Sequence, residues 1–295
     1  MNRIGAWMNN TLFLETPGKI NLYLEVKRRM TSGFHEIRTV FYPVDLCDRV
    51  TLSFNDSGVI RCHCSDESVP GDERNLAVKA ALLYFRTAGI PCPGLEIRIL
   101  KRLPVSGGMG SGSSDAGAVL RLLQQHYCGA LTEQSLHEIA LSIGSDVPFF
   151  LNTVPSLGGG RGEELTPLEK VSAFSLPLLL IPGSFPVSAA WAYSHWRESV
   201  QTPPSGGETP EELIRALQEK DFERAGALLR NDLAGCVLEK FPLLRILERQ
   251  VGETAGHVLL SGSGPTLFIL YTDFAARDRA WEILRNRNIP VIKTS

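Results

Sequence analysis

The chain lacks any apolar run of about 18 residues, the length that suggests a membrane-crossing helix, and its opening MNRIGAWMNN has no apolar segment of the signal-peptide kind. It has little excess charge, since 30 basic residues stand against 32 acidic ones for a formal net charge of −2. That balance argues against general binding to nucleic acid or to a membrane surface, although a local basic patch stays open. Cysteine is sparse and scattered. Of the six, only Cys62 and Cys64, flanking His63, resemble a cluster. Adjacent residues on a strand point to opposite faces and no second ligand pair follows, so the thiols read as reduced and a structural zinc site is not expected. No internal repeat is visible. What remains is an ordinary supply of apolar residues, 43% of 295, sufficient for one large or two ordinary domains. The expectation is a soluble, cytoplasmic protein whose partner is a small molecule rather than nucleic acid or membrane.

Glycine, by contrast, is concentrated. Residues 107–112 contain four glycines in six positions, and Ser113, Ser114 and Asp115 lead into Ala116, Val119, Leu120 and Leu123 at helical spacing. This reads as a glycine loop entering a helix N-terminus. Such a terminus has unpaired N–H groups and a partial positive charge, and glycine lets anion oxygens reach the backbone with no Cβ in the way. Phosphate is the natural guest. The plain alternative, a flexible Ser/Gly turn, is disfavoured by the helix that follows at once. Two familiar phosphate loops fail on spacing. A P-loop needs Lys directly after its second glycine, where this chain has Ser113; a dinucleotide loop counted from Gly108 needs glycine at its sixth place, which is again Ser113. The neutralising cation must come from elsewhere, with Lys19 and Lys101 as candidates.

Alternation predicts strands over 11–15 and 20–27, joined at Thr16-Pro17-Gly18, with Lys19 and Asn21 sharing the face opposite Ile20, Leu22, Leu24 and Val26. By themselves such a Lys and Asn are usually just solvated. Further β-like runs cover 37–46, 50–54 and 59–62, and His35 after Gly33-Phe34 is most simply a turn residue. Asn75 reads as the N-cap of a helix to about Ala88, residues 95–99 alternate again, and Thr132 opens a helix to about Ile143. Gly144-Ser145-Asp146 breaks that helix. An Asp there is commonly a turn or cap residue, but Val147-Pro148-Phe149-Phe150 suggests it is held against apolar surroundings. The glycine cluster 158–162 reads as a hairpin or loop. After a plausible boundary near 165 come a strand over 176–181, a helix over 188–196, a surface loop over 202–208, and helices over 210–219, 221–230 and 236–250. Strands at 258–260 and 266–271, a helix over 274–287 and a strand over 289–293 complete the pattern. Two α+β domains, 1–165 and 166–295, are the economical reading.

Three segments stand in order: Pro17-Gly-Lys-Ile-Asn-Leu22, the loop from Pro104 to Ala116, and Ser261-Gly-Ser-Gly-Pro-Thr266. Together they resemble the three motifs of the GHMP small-molecule kinases, in an order that covers nearly the whole chain. Gly33-Phe-His-Glu36, Asn75-Leu76, Lys101-Arg-Leu-Pro104 and Gly144-Ser-Asp-Val-Pro148 resemble the branch whose acceptor is a cytidyl diphosphate sugar alcohol. The resemblance implies a two-domain GHMP kinase fold, with a ribosomal protein S5 domain 2-like N-terminal domain, a ferredoxin-like C-terminal domain and the active site between them. It also implies ATP as phosphoryl donor with Mg²⁺. Departures are Phe34 where Tyr is usual, which removes a phenolic hydrogen bond, and Ser111 and Pro265 where smaller residues are usual; Ser111 adds a hydroxyl close to the phosphates.

Carried over residue by residue, the resemblance makes Asp146 the base for the acceptor hydroxyl, with Lys19 near enough to orient it and to stabilise the developing oxyanion. Pro104, Gly107, Gly108, Gly110, Ser111, Gly112, Ser113 and Ser114 hold the triphosphate, a serine such as Ser114 faces Mg²⁺, and Asn75 and Lys101 lie near adenine or ribose. His35 reads the cytosine edge, Phe34 and Tyr193 stack on it, and Asn21, Ser188 and Thr266 contact substrate. Two rival readings share these features: a GHMP kinase acting on mevalonate, phosphomevalonate, homoserine or a sugar, and a non-catalytic nucleotide or metabolite sensor on the same fold.

Overall fold

The computed structural model describes residues 4–7, 11–197 and 209–294; the loop expected at 202–208 lies outside them. In chain order come β1 (Ile4–Trp7), β2 (Thr11–Arg29), β3 (His35–Phe54), β4 (Ile60–Cys64), α1 (Leu76–Ala88), β5 (Leu95–Leu100), α2 (Ser111–His126), α3 (Glu133–Ile143) and α4 (Phe149–Asn152). Then follow β6 (Ser156–Gly159), β7 (Glu164–Pro167), α5 (Glu169–Ser172), β8 (Leu178–Ile181), α6 (Ala189–His195), α7 (Pro210–Gln218), α8 (Phe222–Ala227) and β9 (Arg230–Asn231). The chain closes with α9 (Ala234–Lys240), α10 (Pro242–Gly252), β10 (His257–Leu260), β11 (Leu267–Leu270), α11 (Phe274–Asn286) and β12 (Ile292–Thr294).

These elements form two compact units that a single cut at 165 does not describe. The first takes residues up to Gly18, Leu46–Val105 and Gly110–Thr153; the second takes Lys19–Asp45, Ser106–Met109 and Val154–Ser295. In the first, β3 pairs antiparallel with β5 from Arg49↔Leu100 to Phe54↔Leu95, and β5 pairs parallel with β4. Alternation in β5 buries Leu95, Ile97 and Ile99, which join Val50, Leu52, Ala77, Tyr84, Val119 and Leu123 in one core. In the second, β10, β11, β8 and β12 form a four-stranded antiparallel sheet whose Leu179, Ile181, Leu267 and Ile269 pack with Leu24, Val237 and Leu284. A β6–β7 hairpin pairs with β3 through Thr39↔Gly158.

Local caps placed several helices correctly. The Asn75 side chain accepts from Ala77 N at the start of α1, Thr132 from Ser135 N at the start of α3, and Ser188 from Trp191 N at the start of α6. Elsewhere tertiary contacts overrode the local signals. The Thr16-Pro17-Gly18 joint is no turn, because β2 runs through it: Ser114 Oγ donates to the Pro17 carbonyl at 2.7 Å, and the Thr16 and Ser114 hydroxyls are also 2.7 Å apart. The runs 37–46 and 50–54 are likewise one strand, β3. The single helix expected over 236–250 is two, divided at Phe241: Pro242 cannot continue α9, lacking an N–H, but suits the first turn of α10.

Candidate active site

In the first unit, α2 starts behind Gly110, whose φ of 68° places it in the left-handed region, and its first turn is Ser111-Gly112-Ser113-Ser114. Gly112 is exposed and Ser113 half-buried, so this end of the helix is open to an anion. Asp146 lies in the turn that leads from α3 to α4; it is half-buried, and Val147, Pro148, Phe149 and Phe150 anchor the turn in the core. The Ser113 hydroxyl faces this turn, lying 3.9 Å from where a Cβ on Gly144 would stand.

Beneath the helix terminus is a buried ionic cluster that the sequence did not announce. Lys101 Nζ donates to Asp48, to Asp115 Oδ2 at 2.7 Å and to Ser111 Oγ at 2.5 Å, while Asp48 Oδ1 accepts from the backbone N–H groups of Arg102 at 2.6 Å and Leu103 at 2.8 Å. Burial pushes the Asp115 carboxyl up to about 7; Lys101 opposes the rise and Asp48 adds to it. Burial lowers the Lys101 pKa, but the two carboxylates outweigh it and hold that value above the ordinary one for lysine. Asp115 Oδ1 is buried with no partner.

Several expectations change here. Lys101 is not a free cation for phosphate: its side chain is only 5% exposed and its ammonium ties the loop helix to β3 through carboxylates, while its expected place near adenine or ribose stays a proposal. Ser111 turns its hydroxyl to Lys101 rather than outward. Asn75, expected near adenine or ribose, caps α1 with Oδ1 while Nδ2 donates to the Pro70 carbonyl. The Ser114 hydroxyl, fully buried between Thr16 and Pro17, is not available to Mg²⁺, which leaves Ser113 as the half-exposed hydroxyl of that turn.

In the second unit, residues 106–109 of the glycine loop are bound to the third motif. Ser261 Oγ donates to the Gly108 carbonyl at 3.0 Å, Thr266 N to the Gly107 carbonyl at 3.3 Å, and Lys19 N to the Met109 carbonyl at 3.0 Å. Gly108 has φ of +75°, and a Cβ there would stand 2.1 Å from the Ser261 carbonyl oxygen, so glycine is required twice over. Asn231 clamps the third motif from behind, donating from Nδ2 to the Leu260 carbonyl at 2.7 Å and the Gly262 carbonyl at 2.8 Å. The Thr266 hydroxyl is buried with no protein partner, a position that a ligand oxygen or water would satisfy.

Lys19 Nζ donates to Asn21 Oδ1 at 2.8 Å and lies 5.2 Å from the centre of the Phe41 ring. Asn21, expected on the substrate, thus has one end of its amide on Lys19, and the other on Thr39. Thr39 escaped notice because an isolated Thr on an apolar strand carries no local signal. At the start of β3 a ring cluster forms: His35 stacks on Tyr193 at 5.8 Å and meets Trp196 edge-on at 5.5 Å, and the Arg161 guanidinium sits 4.7 Å from the centre of the Phe34 ring. Phe34 is 52% exposed, unusual for Phe and fitting for a stacking surface. Burial and nearby Arg29 lower the His35 pKa, which favours the neutral ring with one donor and one acceptor nitrogen. Ser188 caps α6, and neither Arg161 nor Trp196 was expected in the cluster. Their types were visible in the sequence, but their neighbours were not. Among the described residues no helix is long and apolar enough to cross a membrane, and no three His, Cys, Asp or Glu side chains gather to hold a metal ion.

Comparison with known proteins matches the glycine-loop unit to the GHMP kinases N terminal domain over residues 75–153 and the later segment to the GHMP kinases C terminal domain over residues 213–290. The class is therefore GHMP kinase. The 4-diphosphocytidyl-2-C-methyl-D-erythritol kinase of Geobacter metallireducens is 36% identical, over 88% of this chain and 89% of its own; that of Mycolicibacterium gilvum is 38% identical, over 93% and 87%. A crystal structure of 4-(cytidine 5'-diphospho)-2C-methyl-D-erythritol kinase superposes with TM-score 0.78 at 30% identity, covering 96% of this chain and 98% of that one. Homoserine kinase from Cytophaga hutchinsonii, at 18% identity and TM-score 0.75, covers 99% of this chain and 96% of its own and shares the fold. The chain belongs to the 4-diphosphocytidyl-2-C-methyl-D-erythritol kinase family, and its two-domain α+β architecture is the GHMP kinase fold.

Proposed function

We propose that the protein transfers the γ-phosphoryl group of ATP to the 2-hydroxyl of 4-diphosphocytidyl-2-C-methyl-D-erythritol. The observation that carries the choice of acceptor is His35 set between Tyr193 and Trp196, with the exposed Phe34 ring next to it in sequence. A neutral imidazole braced by two aromatic rings suits the donor and acceptor edge of cytosine, and has no purpose for mevalonate, homoserine or a sugar.

Asp146 accepts the proton of the 2-hydroxyl as its oxygen attacks the γ-phosphorus; the bond to the β-phosphate bridging oxygen breaks and ADP leaves. Lys19 stabilises the negative charge that develops on the attacking oxygen. The open first turn of α2, with Gly110, Gly112 and Ser113, holds phosphate oxygens through backbone N–H groups, so catalysis is mainly positioning and charge neutralisation. Mg²⁺ supplies neutralisation of the phosphate oxygens. The Ser113 hydroxyl would be the protein's contribution to holding it, which fits the small number of protein ligands Mg²⁺ needs.

The test is ADP release by the purified protein with Mg²⁺-ATP and, separately, 4-diphosphocytidyl-2-C-methyl-D-erythritol, mevalonate, homoserine and galactose. Turnover confined to the cytidyl compound is expected. Turnover with another acceptor keeps the phosphate loop but overturns the base-reading pocket, and no turnover with any acceptor favours a sensor.

A further inference from the structure

We propose that Thr39 is a positioning residue for phosphoryl transfer, acting through Asn21 to hold the Lys19 ammonium, a role that rests on the function proposed above. The hydrogen bonds have one direction. The Thr39 hydroxyl has a single proton and donates it to the Tyr23 carbonyl at 2.7 Å. Its oxygen is left to accept, and Asn21 Nδ2 donates to it at 2.7 Å. The other end of that amide, Oδ1, must then face Lys19 Nζ at 2.8 Å. Turning the amide over would set its NH₂ against the ammonium and its oxygen against a hydroxyl whose proton is already engaged.

Burial makes the arrangement stiff. Thr39 is 0% exposed, Asn21 2% and Lys19 5%, so water is poorly placed to replace a lost partner. The third motif closes over the pair at Gly262, where a Cβ would stand 3.3 Å from Asn21 Oδ1 and 3.6 Å from Lys19 Nζ with φ of +54°. The relay ends on a carbonyl of β2, the strand that carries Lys19 and Asn21, so β3 contributes one hydroxyl that locks two side chains of its neighbour. Because Asn21 is neutral, it fixes the direction of the ammonium without cancelling its charge. Misplacing a reacting or charge-stabilising group by about 1 Å costs on the order of 10²-fold in rate.

The experiment compares Thr39→Val, which keeps shape but loses the hydroxyl, with Thr39→Ser, which keeps the hydroxyl, in the full chain and with the acceptor the wild type turns over. Thr39→Val is expected to lower kcat about 10- to 100-fold with KM for ATP and acceptor nearly unchanged, and Thr39→Ser to stay within about threefold of wild type. A Thr39→Val protein that melts earlier but keeps wild-type kcat at a temperature where both are folded would make the threonine merely structural and overturn the proposal. A second readout needs no acceptor: ¹⁵N NMR of the Lys19 ammonium. Its signal should be protected from water exchange in the wild type and Thr39→Ser and lost in Thr39→Val or, where Val fails to fold, in Thr39→Ala; equal protection in the variant lacking the hydroxyl overturns the relay. A wrong assignment of the acceptor shows instead in the wild type's choice of substrate and leaves this comparison intact.

Discussion

Lys19 and Lys101 are both buried lysines that touch segments of the glycine loop, and they differ in what holds them. Lys101 sits between Asp48 and Asp115, in a cluster where two acidic groups share one ammonium. Lys19 donates to the neutral Asn21 amide and lies beside the Phe41 ring, contacts that orient its ammonium. The carboxylates differ in burial: Asp115, in α2, is 2% exposed, whereas Asp146 is half-buried in a turn. Burying a charge is tolerable when it is paired, which is what the Asp48–Lys101–Asp115 cluster provides. The comparison teaches that the surroundings of a charged residue inside a motif segment, carboxylates for Lys101 and a neutral amide and a ring for Lys19, are set by folding and not by the motif.

The largest expected effect falls on the chemical side of this contrast. Asp146→Asn should lower kcat by about 10² to 10⁴, the usual worth of a general base, while ATP still binds; near-normal turnover would break the assignment. The two lysines can then be set against each other. Lys101→Met leaves Asp48 and Asp115 buried together without their cation and should cost about 3–5 kcal/mol of stability, read from urea unfolding. Lys19→Met leaves Asn21 Oδ1 without its donor, so it should lose less stability than Lys101→Met, about 1–3 kcal/mol, and about 10²- to 10³-fold in kcat, as removal of an oxyanion stabiliser does. The same phenotype for both would erase the distinction.

A milder test concerns recognition by exposed groups. Phe34→Ala should raise KM for the cytidyl substrate by about 5- to 100-fold, the range of one lost base–aromatic stack, and leave KM for ATP near wild type. Equal changes in both would remove stacking from the account.

The smallest effect is a slope in pH. Folded Asp115 holds its proton up to about 7, whereas an unfolded aspartate releases it near the ordinary value of about 3.9. Between those values the native state binds more protons than the unfolded one, so this group's contribution to stability falls as pH rises through that window. Urea midpoints from pH 4 to 8 should decline more in the wild type than in Asp115→Asn; equal declines would show that Asp115 is not the group responsible.

Much of the fold could be read locally. Asn75, Thr132 and Ser188 marked helix starts because a cap bonds to a backbone N–H two or three residues away, and α2 was visible because its apolar face repeats within a few turns. Pro17-Gly18 misled for the converse reason. Its local turn signal is overridden by Ser114, 97 residues away from Pro17, whose hydroxyl holds the strand straight. In the candidate site, the types and order of the motif residues were legible, including Lys19, Asp146 and the Phe34-His35 pair, but their partners were not. Asp48 meets Lys101 across 53 residues, and Arg161 meets Phe34 from a glycine cluster that had read as a hairpin or loop.

By itself the sequence determined the family, the helix-entering phosphate loop, and which residue types stand ready for chemistry, because motif order, caps and periodicity are properties of neighbouring residues. The tertiary structure alone decided that Lys101 lies between Asp48 and Asp115 and Lys19 against the Asn21 amide, that Ser111 and Ser114 face inward while Ser113 remains half-exposed, and that Thr39 stands behind Asn21. A charge or hydroxyl takes its role from whichever group folding brings within about 3 Å of it, and that group is usually distant in the chain.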